Sequence, residues 1–503
     1  MPRGKQFFCQ ALLSEEELIS DHAQRPRRPL FWPALVAASL SVLMAATWGC
    51  ASRPIDDPVE VARCRNESAA TRIRAVTLVP DAQAQQLIAL VWSSRHPIDV
   101  RRAAVDRMIQ ADADAFWSDV VSGIRRVDDW PMITLLCERA ANDQRTNMTP
   151  GLIASWSRPS TRFDDEHRPE RQAIQSLWPG RPLEEILWDR FSAELPRRED
   201  QRVAQSAWTV LVRISDESAL RDRLRAGEPG NDLHAQLRGI EGLVDVLPGD
   251  REALLRLNTL TAESSAQDWA RRERLVRSLR NDAGPRTLAL RHLPAIDALG
   301  DADVSQDRQA TYRRLASDLQ GRRHYHRGDG AQGENVRSMD ESLAGHLENL
   351  GWADLLVLDA INLLLWPKAV RGSSSAVADL FVIADADQRD QSTEFGGVLV
   401  RGEASGARWR VALYDPARKQ HDEVFHASDA CVRAMHTGLA HFHFHAQRHD
   451  NAVWAGPGGG DFQFADNLHA NCIVLTFIDR DTLNVDAYFP GAVVVDLGCI
   501  RRR

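Results

Sequence analysis

The sequence has few cysteines that could organise a small disulfide-rich fold. Seven occur among 503 residues, and no two of them form a C-x-x-C pair. An odd total without such a pair gives no disulfide framework, so buried thiols are the expectation. Basic residues are not in excess either, since the formal net charge is −8 and no long basic run is present. The chain therefore lacks the electrostatic footprint of a nucleic-acid-binding protein, and we exclude nucleic acid as a partner.

A strict internal repeat is also absent, although residues 60–320 have the character of a helical-repeat domain. Apolar residues recur with helical spacing from Val100 to Ile109 and from Val203 to Ile214. Amphipathic helices of this kind must pack against neighbours to bury their apolar stripes. The sequence predicts an all-α domain, either a stacked HEAT-like array or an irregular bundle. No cluster of reactive residues occurs there, so its expected role is recognition or scaffolding of a protein partner.

One long apolar run is present, near the N-terminus. Leu30 to Trp48 is uncharged, follows several arginines and is long enough to cross a bilayer. The positive charges predict a cytoplasmic leader over residues 1–29 and place the rest of the chain outside the cytoplasm, in a bacterial-type cell envelope. Residues 30–50 are thus predicted as a signal or membrane anchor. Because Cys50 follows a lipoprotein-like stretch, a lipid anchor and an uncleaved transmembrane anchor both remain open.

A chain of this length needs more than one core, and a glycine-rich segment of mixed charge divides it. Residues 321–342 are predicted as a linker, with His324 and His326 as solvated residues within it. Residues 343–503 are predicted as an α+β domain with a mixed sheet. Its predicted helices are Leu355–Trp366 and Ala427–His436, and its predicted strands are Ala378–Ile383, Phe395–Val400, Trp409–Leu413, 441–445, Cys472–Phe477, Val485–Phe489 and Val493–Leu497.

The most distinctive residues of this domain are the alternating histidines of the segment His-Phe-His-Phe-His, residues 441–445. In an extended strand His441, His443 and His445 project together, while the phenylalanines face the other way. Two imidazoles side by side can chelate one metal ion. Asp461, which follows a glycine run, would complete three protein ligands and leave a fourth position open, as in a catalytic zinc site. A polar, solvated strand face is the alternative interpretation.

A second motif lies upstream, where Glu394 opens the sequence E-x-x-G-x-L. It is followed by H-x-H at His443 and His445, and then by a segment like P-S-x-x-D that ends at Asp461. Over about residues 375–500 this order resembles the JAMM (MPN-type, JAB-like) metallopeptidases. The resemblance implies an α+β domain of the JAMM kind following the helical region.

The resemblance also implies an activity, namely zinc-dependent hydrolysis of amide or isopeptide bonds in a peptide or protein substrate. Zn²⁺ would be held by His443, His445 and Asp461, with His441 as an alternative ligand beside His443. Glu394 would be the general base that takes a proton from the metal-activated water.

Three features depart from the family pattern, namely two residues and the length of one gap. Gly458 stands where the family has a serine whose hydroxyl supports the tetrahedral intermediate, so backbone N–H groups around Gly458 would have to supply the oxyanion donors. Ala446 replaces a proline, and the gap between His445 and Asp461 is longer than in the family. A catalytically inactive JAMM-like interaction module on a helical scaffold is therefore the alternative to an enzyme.

Overall fold

The computed structural model describes most of the chain after the predicted anchor. The described residues are 55–194, 197–279, 288–299, 308–325, 347, 350–367, 375–402, 409–420 and 424–502. The predicted leader (residues 1–29) and the predicted anchor (residues 30–50) lie outside them, as does most of the predicted linker, including His326. Within the described residues, no helix combines the length and the apolar character needed to cross a membrane.

The chain divides into two compact units, with the boundary between Leu183 and Glu184. The described part of the first unit is helical, and its core contains the fully buried rings of Trp117 and Trp156. Its helices are α1 (Pro58–Arg63), α2 (Ala69–Leu78), α3 (Ile88–Trp92), α4 (Ile98–Gly123), α5 (Trp130–Asn142), α6 (Thr149–Trp156) and α7 (Pro169–Leu177).

The second unit begins with further helices, several of which start at a residue suited to capping. The side chains of Asp216, Asn231 and Asp250 each accept a hydrogen bond from a backbone N–H of the first turn that follows. These bonds satisfy amides that have no partner within the helix. The helices are α8 (Leu183–Ser192), α9 (Arg198–Ile214), α10 (Glu217–Arg225), α11 (Asp232–Ile240), α12 (Arg251–Glu263), α13 (Ala266–Leu279), α14 (Leu293–Ala298), α15 (Arg308–Gln320), α16 (Trp352–Leu365) and α17 (Ser375–Arg389).

The same unit contains a mixed six-stranded sheet with the order β2-β1-β3-β4-β5-β6. Strands β3 and β4 are parallel, and all other neighbours are antiparallel. Parallel strands need a crossover connection, and the helix Gly459–Leu468 lies in the connection between β3 and β4. The strands are β1 (Gly396–Arg401), β2 (Trp409–Tyr414), β3 (Ala440–His445), β4 (Cys472–Asp479), β5 (Thr482–Phe489) and β6 (Val493–Arg501), and the helices are α18 (Asp429–Thr437) and α19 (Gly459–Leu468).

A helical region followed by an α+β domain with a mixed sheet is thus confirmed. The strand predicted at Ala378–Ile383 is wrong, because these residues lie inside α17. The buried side chains there, including Val377, Leu380 and Phe381, are three or four positions apart and form one helical face. Helix α19 was not predicted, since its glycine-rich start is typical of a turn.

Both faces of β3 are buried, and its side chains alternate as predicted. The rings of His441, His443 and His445 follow one another at centroid distances of 5.9 and 5.2 Å on what we call the histidine face. Phe442 and Phe444 contact each other on the opposite face, with ring centroids 5.6 Å apart. The interpretation of this strand as a solvated polar face is therefore wrong, because every residue of β3 is buried.

Candidate metal centre

Strand β3 and the start of helix α19 bring together the three residues predicted as metal ligands. His443 and His445 lie on the histidine face, and Asp461 is in the first turn of α19. One ligand atom from each residue can be chosen so that all three lie within 4.8 Å of one another. The Nε2 atom of His443 is 3.3 Å from Asp461 Oδ1, and that of His445 is 4.0 Å from Asp461 Oδ2. Among the described residues this is the group of histidine, cysteine and carboxylate side chains able to hold a metal ion.

The other ring nitrogen of each histidine is directed at a neighbouring oxygen. His445 Nδ1 lies 2.8 Å from the carbonyl oxygen of Trp454, which can only accept, so Nδ1 carries the proton in a neutral ring. His443 Nδ1 lies 3.5 Å from the hydroxyl oxygen of Tyr488. In both rings Nε2 is left to face Asp461. The Trp454 contact fixes the tautomer of His445, as outer contacts do for many histidines that ligate metals.

The carboxylate of Asp461 is held by its own helix. The backbone N–H of Gly458, the residue before α19, donates to Asp461 Oδ2 at 2.7 Å. Burial alone would raise the pKa of Asp461, but the neighbouring His443 and His445 and the Gly458 N–H hold it below its ordinary value. Asp461 is therefore an anion in a buried site.

The donor set and its surroundings fit a divalent cation. His443, His445 and Asp461 are each 1% exposed or less. His443 Nε2 is fully buried and makes no well-formed hydrogen bond to any described residue. A buried polar atom left in this way is costly unless something else binds it. A cation between the imidazoles and the carboxylate would satisfy it and would balance the buried negative charge.

His441, the alternative ligand, does not join this group. Its ring lies between Phe425 and Phe464, with centroid distances of 5.6 and 4.8 Å. Burial lowers the pKa of His441 well below the usual histidine value, with a further contribution from His443, so the ring is neutral. Within the described residues neither of its nitrogens has a hydrogen-bond partner. The three-residue group therefore favours His443 and His445 over the pair that includes His441.

Glu394 is buried just before strand β1. Gly396 pairs with His443 in the antiparallel ladder. If this register continued beyond the end of β1, Glu394, two residues before Gly396, would lie opposite His445, two residues after His443. The Oε1 atom of Glu394 accepts a hydrogen bond of 3.2 Å from the side-chain amide of Gln447. The predicted base therefore lies at the end of the ladder that carries the ligands.

The glycines of the upstream motif are explained by close packing. A Cβ atom on Gly397 would lie 2.1 Å from the carbonyl oxygen of Ala412 and 2.5 Å from the ring of Phe442. A Cβ atom on Gly396 would lie 2.7 Å from the ring of Phe425. Side chains at these positions would push β1 away from its neighbours, and with it the backbone that carries Glu394.

Gly458 caps α19 by donating its N–H to Asp461, so this amide is already engaged and is not open to an oxyanion. The first-turn amides of Gly459 and Gly460 come next, and amides at this position have no partner within a helix.

Sequence reasoning missed the residues that support the ligands. Gln447, Asn451 and Trp454 lie between β3 and α19, in the stretch already noted as longer than the family's. Tyr488 lies within a correctly predicted strand, where alternation alone could have placed it on the histidine face. The contacts of the three loop residues could not be predicted in this way, because an irregular loop has no periodic pattern of side-chain directions.

A second polar cluster lies on the same side of the sheet as the histidines, on strands β5 and β6. Asp486 and Asp496 are paired across β5 and β6, and both are buried. Burial raises the pKa of Asp486 well above its ordinary value, and the charge of Asp496 raises it further. His324 Nδ1 lies 3.2 Å from Asp496 Oδ1. The interpretation of His324 as a solvated linker residue is therefore wrong.

Comparisons of the chain with protein-family models, with curated proteins and with solved structures gave no match. The site is accordingly defined by its own geometry, as a buried group of two histidines and one aspartate on a mixed sheet.

Proposed function

We propose that the C-terminal domain is a zinc-dependent amide or isopeptide hydrolase of JAMM type. The observation that carries the proposal is the convergence of His443, His445 and Asp461 from a strand and a helix separated by a long loop. Their order along the chain, after Glu394, is the order that first suggested the family. Peptide or protein substrates follow from that resemblance.

Zinc is the cation that suits this donor set. Two imidazole nitrogens and one carboxylate are ligands that Zn²⁺ prefers, and three protein ligands are typical of catalytic rather than structural zinc sites. Both histidines direct Nε2 toward Asp461, and neutral imidazole is the form that ligates metals. Softer sites would contain thiolates, and no cysteine belongs to the group.

The residues have separate roles in the proposed reaction. When bound, Zn²⁺ lowers the pKa of a coordinated water to about 7 and polarises a carbonyl group. Glu394 takes a proton from the attacking water and passes it to the leaving amine. The backbone N–H groups of Gly459 and Gly460, in the first turn of α19, would donate to the oxygen that gains charge. Asp461 keeps its negative charge, because the Gly458 N–H donates to its carboxylate and the cation would balance it.

The alternative is a catalytically inactive JAMM-like interaction module on a helical scaffold. Two observations favour it, namely the missing hydroxyl at Gly458 and the burial of all three ligands and Glu394 to 1% exposure or less. Such a module could still bind zinc, so metal content alone would not separate the two functions.

The location and partners belong to the same proposal. The apolar stretch near the N-terminus would anchor the protein to a bacterial-type envelope, through a lipid or a transmembrane segment, with the hydrolase domain outside the cytoplasm. The helical region would then recognise a protein partner or present a substrate.

The test is hydrolysis of a peptide and isopeptide library by the zinc-loaded protein and its Glu394→Gln variant. This change keeps the size of the side chain but removes the base, so turnover should fall by at least about 100-fold while zinc is retained. Glu228→Gln, a change of the same chemistry at an exposed position, should leave turnover unaltered. Equal behaviour of Glu394→Gln and wild type across the library would favour the interaction module.

A further inference from the structure

A side chain from the stretch between β3 and α19, residues 446–457, contacts the proposed base. We call this stretch the insert. Gln447, its second residue, donates from Nε2 to Glu394 Oε1 at 3.2 Å. Glu394 is therefore held by a residue that belongs to the same chain segment as the metal ligands, although the two are more than fifty positions apart in sequence.

The orientation of the Gln447 amide is fixed by its other neighbour. Asn451 Nδ2 donates to Gln447 Oε1 at 2.8 Å and to the carbonyl oxygen of His445 at 3.0 Å. Because the carbonyl of His445 can only accept, Nδ2 of Asn451 must be its NH₂ group. The oxygen of Gln447 then faces Asn451, and its NH₂ group faces Glu394.

Asn451 is itself anchored to the sheet. Its backbone N–H donates to the carbonyl oxygen of Phe477 in β4 at 2.9 Å, and its side chain is buried. A continuous set of hydrogen bonds therefore runs from the backbone of His445 through Asn451 and Gln447 to Glu394. The insert ties the base to the strand that carries two ligands.

We propose that Gln447 is a positioning residue that orients the carboxylate of Glu394 toward the metal centre, an inference that rests on the proposed hydrolase function. The amide of Gln447 restricts the orientation of this carboxyl group, because a hydrogen bond weakens steeply as its angle departs from linear. Orientation matters because a misplacement of about 1 Å at a reacting group can cost about 100-fold in rate. The longer gap between His445 and Asp461 thus contains the residue that donates to the proposed base.

The first experiment measures turnover and zinc affinity of the full-length protein and its Gln447→Ala variant, with the best substrate from the library. We expect kcat to fall by about 10- to 100-fold, with KM changed by less than about threefold, because the donor acts on the base and not on substrate binding. Zinc affinity, measured against a chromophoric chelator, should change by less than about threefold, since no ligand is touched. Gln463→Ala removes the same atoms from an exposed position on α19 and should leave all three values unaltered.

A double-mutant cycle separates positioning from a general structural role. In the Glu394→Gln background, Gln447→Ala should cause no further loss of kcat, because its effect is transmitted through Glu394. Full additivity of the two losses would overturn the inference. So would a rise in kcat for Gln447→Ala, which would mean that the contact restrains the base in an unproductive position.

A measurement without catalysis distinguishes failure of the inference from failure of the proposed function. Urea unfolding of the metal-free Glu394→Ala, Gln447→Ala and double variants should show a coupling of about tenfold in the unfolding equilibrium constant. Coupling in a protein that hydrolyses nothing would refute the hydrolase while leaving the contact intact. Wild-type kcat in Gln447→Ala, with hydrolysis present, would refute the positioning role alone.

Discussion

The carbonyl oxygen of Trp454 lies 2.8 Å from Nδ1 of His445 and determines which nitrogen of that ring can bind a metal. A carbonyl cannot donate, so the neutral ring must carry its proton on Nδ1 and offer Nε2 toward Asp461. The loop that departs most from the JAMM pattern therefore orients one of the proposed ligands. A longer connection between ligands is compatible with a working site when its backbone makes contacts of this kind.

Zinc should stabilise the protein, and Asp461 should be needed for it. A ligand that binds only the folded state at 100 times its dissociation constant contributes about 2.7 kcal/mol. We expect zinc to raise the melting temperature of the wild type, and Asp461→Asn to lose most of that rise because the anionic ligand is gone. The measurement is a thermal melt over a zinc series. Asp429→Asn, an exposed change at the start of α18, should keep the full response, and an equal response of both variants would argue against this ligand set.

Gly397→Ala should destabilise the sheet. Its new methyl group would meet the Ala412 carbonyl oxygen at 2.1 Å and Phe442 at 2.5 Å, and the backbone oxygen cannot move without breaking the ladder. We expect a loss of about 3 kcal/mol in the free energy of unfolding, at the upper end for overpacking. Gly239→Ala in α11, where a Cβ would meet nothing within 4 Å, should instead stabilise by about 0.5 to 1 kcal/mol. Urea unfolding of both variants decides this, and a neutral Gly397→Ala would contradict the packing argument.

The sequence predicted the parts of the site that depend on periodicity. Alternation along β3 puts His443 and His445 on one face whatever surrounds the strand, so this pair could be predicted. Asp461 was predicted as a ligand, but its helix was not, because glycines at 458–460 are as typical of a turn as of a helix start. Apolar runs are similarly ambiguous, which is why Ala378–Ile383 was mistaken for a strand.

The supporting residues could not be predicted because their contacts come from tertiary structure. Gln447 and Asn451 act through an irregular loop, and their partners Glu394 and Phe477 are far away in sequence. The same is true of His324, whose contact with a buried aspartate on β6 cannot be inferred from the polar segment around it. Long-range contacts of this kind need the register of the sheet, which the sequence pattern does not give.

Asn451→Asp should destabilise the insert. The amide nitrogen of Asn451 donates to two acceptors, whereas an ionised carboxylate would place negative charge against the carbonyl oxygen of His445. We expect a loss of about 3 kcal/mol at neutral pH, because a buried charge is left facing acceptors. The loss should shrink at low pH, where the new side chain is protonated. Urea unfolding at two pH values tests this against Asn467→Asp, an exposed change on α19, and a pH-independent loss would contradict the explanation.

Asp486 should make the folded state less stable as the pH rises. Its pKa is raised in the folded protein by burial and then by Asp496, from the ordinary value of 3.8. The folded state therefore keeps a proton that the unfolded chain releases, so the stability from this group is complete below the unfolded pKa and is lost as the pH rises through the folded pKa. Between the two values the slope should reach about 1.4 kcal/mol per pH unit.

The test of that prediction is a difference between two pH profiles of the free energy of unfolding, both measured on metal-free protein. The Asp486→Asn side chain cannot release a proton. Its amide oxygen can still accept the hydrogen bond that Asn484 donates to Asp486 at 2.9 Å, and its amide nitrogen can donate to Asp496. His324, whose pKa is raised by its contact with Asp496, titrates in both proteins and largely cancels in the difference. The wild type should therefore lose stability relative to Asp486→Asn as the pH is raised from about 4, because only the wild type keeps a proton in the folded state that its unfolded chain releases. Parallel profiles would mean that Asp486 is already ionised in the folded protein, with the nearby cationic groups of His324 and Arg322 balancing the pair.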